Sequence, residues 1–385
     1  MVPFIPPELV IPIVEEMYHL PDGTADIHTL SACSLVCQSW RVHSQRLLLS
    51  RATMRICGPP DDGQRSLTLH QCLSTGSLGS YIRALDLSIT TRRGSLGSFA
   101  PQATSALSPD EFVSAVEFCP HLYHLSLNIN AMHSFDADAV ERLSSLSLTI
   151  RALDVSFGSV TSPVVYQLLA IWPSIQSLRL RTEMIAPLPS VRPDFSLYEL
   201  SLHRSVRRGV LEWLIPPPDA PYPSHRTPLR ILDFWDTPNE DSRDIIFAHA
   251  TNVRSLRLTY PPPAGFMDSF NGIQEFVLRT TPDLLPLRPL PSSIEHLHFH
   301  NFSSPSFAHS LVHTTSCIRS LPNVTLVTVN KPIAEREDFG NLVRVCEGRG
   351  IEIRVDPKFY YLYEYPVPVE RFPRLRTIEN LYKMN

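Results

Sequence analysis

Lysine is scarce in this chain, and no long apolar run occurs in it. Only Lys331, Lys358 and Lys383 are lysines among 34 basic residues, so arginine supplies nearly all of the positive charge. The net charge of −4 gives no electrostatic case for binding nucleic acid or an acidic membrane. No window holds the roughly 20 apolar residues of a membrane span. The N-terminus lacks the basic segment of a signal peptide. We expect a soluble protein of the cytoplasm and/or nucleus.

Catalytic and metal-binding motifs are also missing from the sequence. The seven cysteines form no C-x-x-C pair, so we expect reduced, mostly buried thiols. There is no Gly-rich phosphate loop, no H-E-x-x-H and no G-x-S-x-G. We therefore expect a protein that is not an enzyme and that needs no cofactor.

Two parts of the chain differ in the period of their apolar residues. From Leu9 to Leu49 the spacing is helical, and it predicts three short helices. We place the first helix start near Ile11, with Pro12 in its first turn, and expect Asp26 or Thr29 to cap the second helix and Ser39 the third. A unit of this size buries only a small core and gains stability from a partner.

After Tyr81 a six-residue pattern recurs, with the form apolar-x-x-Leu-x-apolar. The nine copies are "IRALDL", "LYHLSL", "IRALDV", "IQSLRL", "LYELSL", "LRILDF", "VRSLRL", "IQEFVL" and "IEHLHF", and two weaker copies follow them. Their intervals straddle the roughly 20 to 29 residues of a leucine-rich repeat. The series predicts an α/β solenoid in which each unit contributes a strand, and in which the strands line the concave side.

The segments between the copies carry helix signals. Ser108, Pro109 and Glu111 form a predicted capping box at the start of one helix. Ser162 and Pro163 repeat the device before "VVYQLLAIWP". Each unit is therefore predicted to run from a strand through a loop and a helix to a proline-marked turn.

The N-terminal residues resemble the F-box. The family's opening motif corresponds to "PPEL" at residues 6–9. Its Leu, Val-Cys and Trp positions correspond to residues in "TLSACSLVCQSWRVHSQRLL" at 29–48. The whole chain is similar to the F-box proteins with irregular leucine-rich repeats that are abundant in mushroom-forming fungi. The resemblance implies an F-box at residues 3–50, a linker or first cap at 51–80, a solenoid at 81–356 and a C-terminal cap or tail at 357–385.

The resemblance also implies a function. Members of the family are substrate-receptor subunits of SCF-type ubiquitin ligases, which bind an SKP-type adaptor and, through it, a cullin. It implies that the adaptor contacts are Pro7, Leu9, Ile13, Leu30 and Val36. The alternative is a leucine-rich-repeat scaffold that has no ligase role. The protein substrate is not identified by the sequence.

Arginine recurs, and one tryptophan occurs, at the predicted concave positions, which flank the second leucine of each copy. Five of these residues are candidates for substrate binding: Arg179, Arg181, Trp235, Arg257 and Arg279. The planar fork of arginine suits an acidic or phosphorylated segment. Acidic residues such as Asp154, Asp233 and Glu275 occupy the same row, and the alternative is that they pair with the arginines.

The stretch "HLHFH" places His296, His298 and His300 on one face of a predicted strand. A metal site completed by a carboxylate such as Asp283 is one interpretation. The spacing along a strand is too long for all three to bind one ion, so we favour a solvent-facing polar strip.

Overall fold

A computed structural model describes residues 5–17, 26–53, 78–90, 107–130, 132–156, 159–218, 228–236, 238–279, 290–300 and 311–356. The chain divides into two compact units, of which the first runs to Phe195 and the second begins at Ser196. The predicted C-terminal cap at 357–385 lies outside the described residues. No described helix has the length and apolar character needed to cross a bilayer.

The first unit begins with three short helices, α1 (Pro7–Glu16), α2 (Ile27–Cys33) and α3 (Gln38–Leu48). Their shared core consists of Val10, Val14, Leu30 and Leu47, and Trp40 and Leu48 pack against it. Asp26 caps α2, because its carboxylate accepts the N–H of Thr29 at 2.9 Å. The core is small, and many apolar side chains of these helices stay outside it.

Two helix starts differ from those predicted from the sequence. Helix α1 begins at Pro7 and contains Pro12 in its interior. Pro12 has no N–H to donate to the previous turn, but the helix continues because Val10 and Val14 are fully buried on its inner face. Helix α3 begins at Gln38, directly after the extended residue Cys37, so the predicted Ser39 cap is wrong.

Five parallel strands follow these helices in the described part of the first unit. They are β1 (Arg51–Thr53), β2 (Ala84–Thr90), β3 (His124–Asn130), β4 (Ala152–Ser156) and β5 (Ser177–Leu180), and each pairs with the next along the chain. The connections include a 3₁₀ turn (Leu78–Tyr81) and the helices α4 (Pro109–Glu117), α5 (Ala137–Ser145) and α6 (Val164–Ile171).

The described residues of the second unit form seven parallel strands, again paired in chain order. They are β6 (Glu199–Leu202), β7 (Ile231–Phe234), β8 (Ser255–Leu258), β9 (Glu275–Leu278), β10 (His296–Phe299), β11 (Leu326–Asn330) and β12 (Glu352–Asp356). The helices are α7 (Arg208–Leu214), α8 (Arg243–Ala248), α9 (Val312–Ser320), α10 (Lys331–Ala334) and α11 (Phe339–Glu347), with 3₁₀ turns at Glu240–Ser242 and Phe266–Ser269.

The copies of the six-residue pattern lie in register within each unit. In the first unit Leu85, Leu125, Leu153 and Leu178 are paired across neighbouring strands. In the second unit the paired series is Leu200, Leu232, Leu256, Phe276, Leu297 and Val327. All of these residues are buried. The leucine of each copy therefore performs the same packing role, in a continuous apolar ladder.

A backbone ladder repeats with the same period. The carbonyl of the second residue in one copy accepts two N–H groups from the next copy. Arg83 accepts from Tyr123 and His124, for example, and in the second unit Arg230 accepts from Arg254 and Ser255. The strands thus begin at equivalent turns, which explains why irregular intervals between the copies do not disturb the register.

The predicted capping box at the start of α4 is confirmed. Glu111 N–H donates to the Ser108 hydroxyl at 3.3 Å, and the Glu111 carboxylate accepts the Ser108 N–H at 2.7 Å. At the start of α6, the Ser162 hydroxyl accepts the N–H of Val164 at 3.2 Å. This single hydrogen bond closes a serine turn, which is simpler than the capping arrangement predicted there. The predicted α/β class is confirmed. An F-box, a leucine-rich-repeat solenoid and the boundaries at residues 50, 80 and 356 stay predictions.

Candidate functional site

Apolar side chains are exposed on the three N-terminal helices. Leu9 and Ile13 of α1 and Met17 directly after it recur every four residues and share one face, while Val10 and Val14 are buried on another. Leu9 is 53% exposed. We call the exposed set the helical apolar surface: Ile5, Leu9, Ile13, Met17, Ile27, Leu35, Val36 and Val42. The row of Leu9, Ile13 and Met17 along one side of the first helix is the kind of apolar strip that is typical of an interaction surface.

The predicted adaptor contacts fall into two groups. Leu9, Ile13 and Val36 belong to the helical apolar surface, and Val36 is 63% exposed in the turn between α2 and α3. Leu30 is fully buried with Val10, so it supports the helices from inside. Pro7 is the first residue of α1, and its side chain lies outside the described part of the chain. Ile27, Leu35 and Val42 were not among the predicted contacts, and only Leu35 had a sequence signal, its place directly before the Val-Cys positions.

The predicted concave arginines of the second unit lie on one face of its sheet. Alternate residues of β6 to β10 point to the side opposite the leucines. We call these side chains the polar face: Ser201, Asp233, Trp235, Ser255, Arg257, Glu275, Arg279, His296, His298 and His300. All of them except Trp235 are buried. The polar face is therefore a buried polar layer, whereas an exposed binding surface was predicted.

Asp233 and Arg279 form one ion pair within this layer. The Arg279 Nη atoms donate to the two Asp233 carboxylate oxygens at 2.7 and 3.0 Å, and the Ser201 hydroxyl donates to Asp233 at 3.1 Å. Burial raises the pKa of Asp233, but the charge and hydrogen bonds of Arg279 outweigh burial and hold that pKa well below its usual range. The Arg279 guanidinium also lies 4.4 Å from the centre of the Trp235 ring, which stacks on His203.

Glu275 is the centre of a second cluster. Its Oε1 atom accepts the Ser255 hydroxyl at 2.6 Å and Arg257 Nε and Nη2 at 3.2 Å each. Its Oε2 atom lies 3.2 Å from His296 Nδ1, and His296 Nε2 lies 2.9 Å from the Thr328 hydroxyl. Sequence reasoning missed Ser255 and Thr328, whose only signal was their place in the same alternating row. The fully buried carboxylate of Glu275 is thus compensated by three polar neighbours, Ser255, Arg257 and His296.

The three histidines of β10 and its end are fully buried, so the predicted solvent-facing strip is wrong. The rings of His298 and His300 are 4.0 Å apart, and those of His296 and His298 are 5.8 Å apart. Burial lowers the pKa of His300 well below its usual value, and Arg279 lowers it further. Among the described residues no group of His, Cys, Asp and Glu could hold a metal ion, and Asp283 lies outside them.

The candidate arginines of the first unit are also paired. Arg181 donates to Asp154 at 2.8 Å, and Arg179 lies 3.6 Å from the same carboxylate. The two arginine side chains are 14% and 16% exposed. Each of the four candidate arginines thus has a carboxylate partner inside its own unit, as the alternative reading of the row required.

Comparison with models of protein families finds none that matches this chain, and comparison with curated proteins finds no match.

Proposed function

We propose that this chain is the substrate-receptor subunit of an SCF-type ubiquitin ligase and has no catalysis of its own. In this role the N-terminal helices are an F-box that binds an SKP-type adaptor and, through it, a cullin. The strand and helix units are a leucine-rich-repeat solenoid that binds a protein substrate. The observation that carries the proposal is the helical apolar surface, because three of the expected adaptor contacts, Leu9, Ile13 and Val36, are exposed on it.

The energetics of the N-terminal helices favour a protein partner. Their core holds four fully enclosed apolar side chains, while Leu9, Leu35 and Val36 stay in water. Burying an aliphatic side chain of this size contributes roughly 1.5 to 3 kcal/mol. Association itself costs several kcal/mol in lost freedom of motion, so several such contacts on a preformed surface are needed to hold a complex. The fully buried Val10, Val14 and Leu30 supply that preformed scaffold.

The repeat assignment is supported by the pairing of consecutive copies. Each copy starts its strand at the third residue of the pattern, and every pairing within a unit is parallel and in chain order. This arrangement is typical of stacked units in which each contacts only its neighbours.

Titration of the full-length protein with a purified SKP-type adaptor tests the proposal. The ligase role predicts a saturable one-to-one complex. Absence of binding, with the helices shown to be folded, would overturn the ligase role and leave the scaffold alternative.

A further inference from the structure

Two recesses lie at one edge of the sheet in the second unit, where the strands β6, β7 and β8 end. The larger recess, of about 270 Å³, is lined by Leu202 at the end of β6 and Phe234 at the end of β7. The smaller recess, of about 220 Å³, is lined by Phe234 and by Leu258 at the end of β8. Asp236 and Pro238 line both, so residues that follow β7 stand between them. We call the pair the edge recesses.

The size of the edge recesses favours side chains as their occupants. Cavities that bind cofactors or drug-sized ligands hold roughly 300 to 1,000 Å³. Each edge recess is smaller than that, and Leu202, Phe234 and Leu258 give both an apolar base. Neighbouring recesses of this kind are how a folded surface takes the side chains of an extended peptide.

A buried hydroxyl group lines the larger recess. Ser242 is 3% exposed, and within the described part of the chain its hydroxyl has no hydrogen-bond partner. Buried polar groups in folded proteins are nearly always hydrogen-bonded, because an unpaired one is destabilising. A ligand that enters the larger recess and hydrogen-bonds to Ser242 removes this cost.

The rim of the larger recess carries a cation whose charge is only partly compensated. The Arg204 side chain is 67% exposed, and its Nη1 atom lies 4.0 Å from Asp236 Oδ2. That oxygen also accepts the Ser205 N–H at 3.3 Å. Arg208, by contrast, donates to both carboxylate oxygens of Asp244 at 2.8 and 2.5 Å. A carboxylate on the occupant would therefore complement Arg204 in charge.

The rim of the smaller recess is preformed. Tyr260 lines it and is 55% exposed. Pro261, Pro262 and Pro263 follow, and each proline ring fixes the backbone at its own position. A rigid rim loses little conformational freedom on binding. Tyrosine and arginine are also the residue types over-represented among the residues that dominate binding energy in interfaces.

We propose that the edge recesses bind an extended segment of a protein substrate that carries two apolar side chains next to an acidic residue. The apolar side chains fill the recesses, the carboxylate pairs with Arg204, and a polar atom of the segment hydrogen-bonds to Ser242. The buried arginines of the polar face take no part in this contact. The inference rests on the proposed receptor role, because it assigns the surface that holds the substrate.

Selection of random dodecapeptides displayed on phage against the full-length protein tests the proposal. We expect enriched peptides in which two apolar residues stand beside Asp or Glu. A synthetic copy of the enriched peptide should bind saturably, as measured by fluorescence polarisation. Arg204→Glu and Tyr260→Ala should each weaken it about tenfold or more. Ser242→Ala should weaken it a few-fold without lowering the urea midpoint of the free protein, because the hydroxyl has no partner to lose.

The matched control is Arg319→Glu, which reverses the charge of an exposed arginine on α9 and should leave the affinity unchanged. Urea unfolding of every variant shows that it is folded. Failure to enrich a peptide would overturn the proposal, and so would an affinity that any of the three rim and recess substitutions leaves unchanged. The adaptor is absent from this measurement, so peptide binding and adaptor binding can fail independently of each other.

Discussion

Arg257 and Glu275 are almost fully buried, so the free energy of each charge depends on the other. A buried carboxylate has lost its stabilising hydration, and without its cation nothing replaces it. A buried guanidinium without its carboxylate is destabilised in the same way. Here Ser255 and His296 supply further hydrogen bonds to Glu275. The pair therefore contributes little net stability as a pair, but removing one member is costly.

Glu275→Gln should destabilise the second unit by about 3 kcal/mol, because it removes the charge of the buried carboxylate that contacts Arg257. Urea unfolding of the full-length variant measures this change. The matched control is Glu352→Gln, which removes a carboxylate from the Glu352–Arg354 pair, whose side chains are about half exposed. The control should cost less than about 1 kcal/mol. Equal effects of the two substitutions would contradict the burial of the polar face.

His300 predicts a pH dependence of stability. Its folded-state pKa is lowered by burial and by Arg279, so below the unfolded value of about 6.5 the unfolded chain takes up a proton that the folded chain does not. Stability should therefore fall as the pH drops from 7.5 to 5.5. In His300→Asn the slope should decrease by up to about 1.4 kcal/mol per pH unit. Chemical denaturation at three pH values measures it, and an unchanged slope would contradict the assignment.

The sequence predicted which polar side chains share a face of the sheet, but it did not predict that they are buried. The row of Asp233, Arg257 and Glu275 follows from the two-residue period of a strand. The period says which side chains share a face, and not what covers that face. The exposure of the histidines was therefore predicted wrongly, while the pairing of arginines with carboxylates was available as an alternative because opposite charges alternate in the row.

At the scale of elements, α4 is the helix whose start is best defined. Its N-terminal residue is preceded by Ser108, and Glu111 closes the reciprocal pair of hydrogen bonds. Phe112, Val113 and Val116 then bury its inner face. Local chemistry and packing agree at this helix, which is why its start was predictable.

Ser108→Ala should destabilise the first unit by about 1 kcal/mol, since the Glu111 N–H loses its acceptor at the helix start. Thermal unfolding followed by circular dichroism measures the loss. Ser145→Ala is the control, because that hydroxyl lies at the exposed end of α5 and donates to the Arg142 carbonyl rather than to a helix-start N–H. A loss as large in the control would show that the capping box has no special role.

Helix α1 shows the limit of such reasoning. Pro12 was expected to sit in the first turn, because an interior proline removes a backbone hydrogen bond. The proline affects only its own turn of the helix. Val10 and Val14, by contrast, are held in place by Leu30 of α2 and Leu47 of α3. Tertiary packing thus decides where this helix begins, and packing partners distant along the chain are not visible in a local pattern.

At the scale of the whole molecule, the recurring strands could be predicted from the sequence. The split of the chain into two compact units could not. The strands of all nine copies, and of the two weaker ones, occur where the pattern places them. Such agreement is expected when every unit packs on its neighbours through the same leucine position. The division of the chain after Phe195 has no counterpart in the periodicity, because the copies on both sides of it follow the same pattern.

The central claim is that the helical apolar surface binds an SKP-type adaptor. The most direct measurement is the affinity of the full-length protein for that adaptor, compared between wild type and Leu9→Ala by calorimetry. We expect Leu9→Ala to weaken binding about tenfold or more, because an apolar anchor of an interface contributes roughly 1 to 3 kcal/mol. The matched control, Leu188→Ala, removes a leucine that is 42% exposed outside the three helices and should leave the affinity unchanged. An affinity that Leu9→Ala does not alter, or no measurable binding by the folded wild-type protein, would contradict the claim.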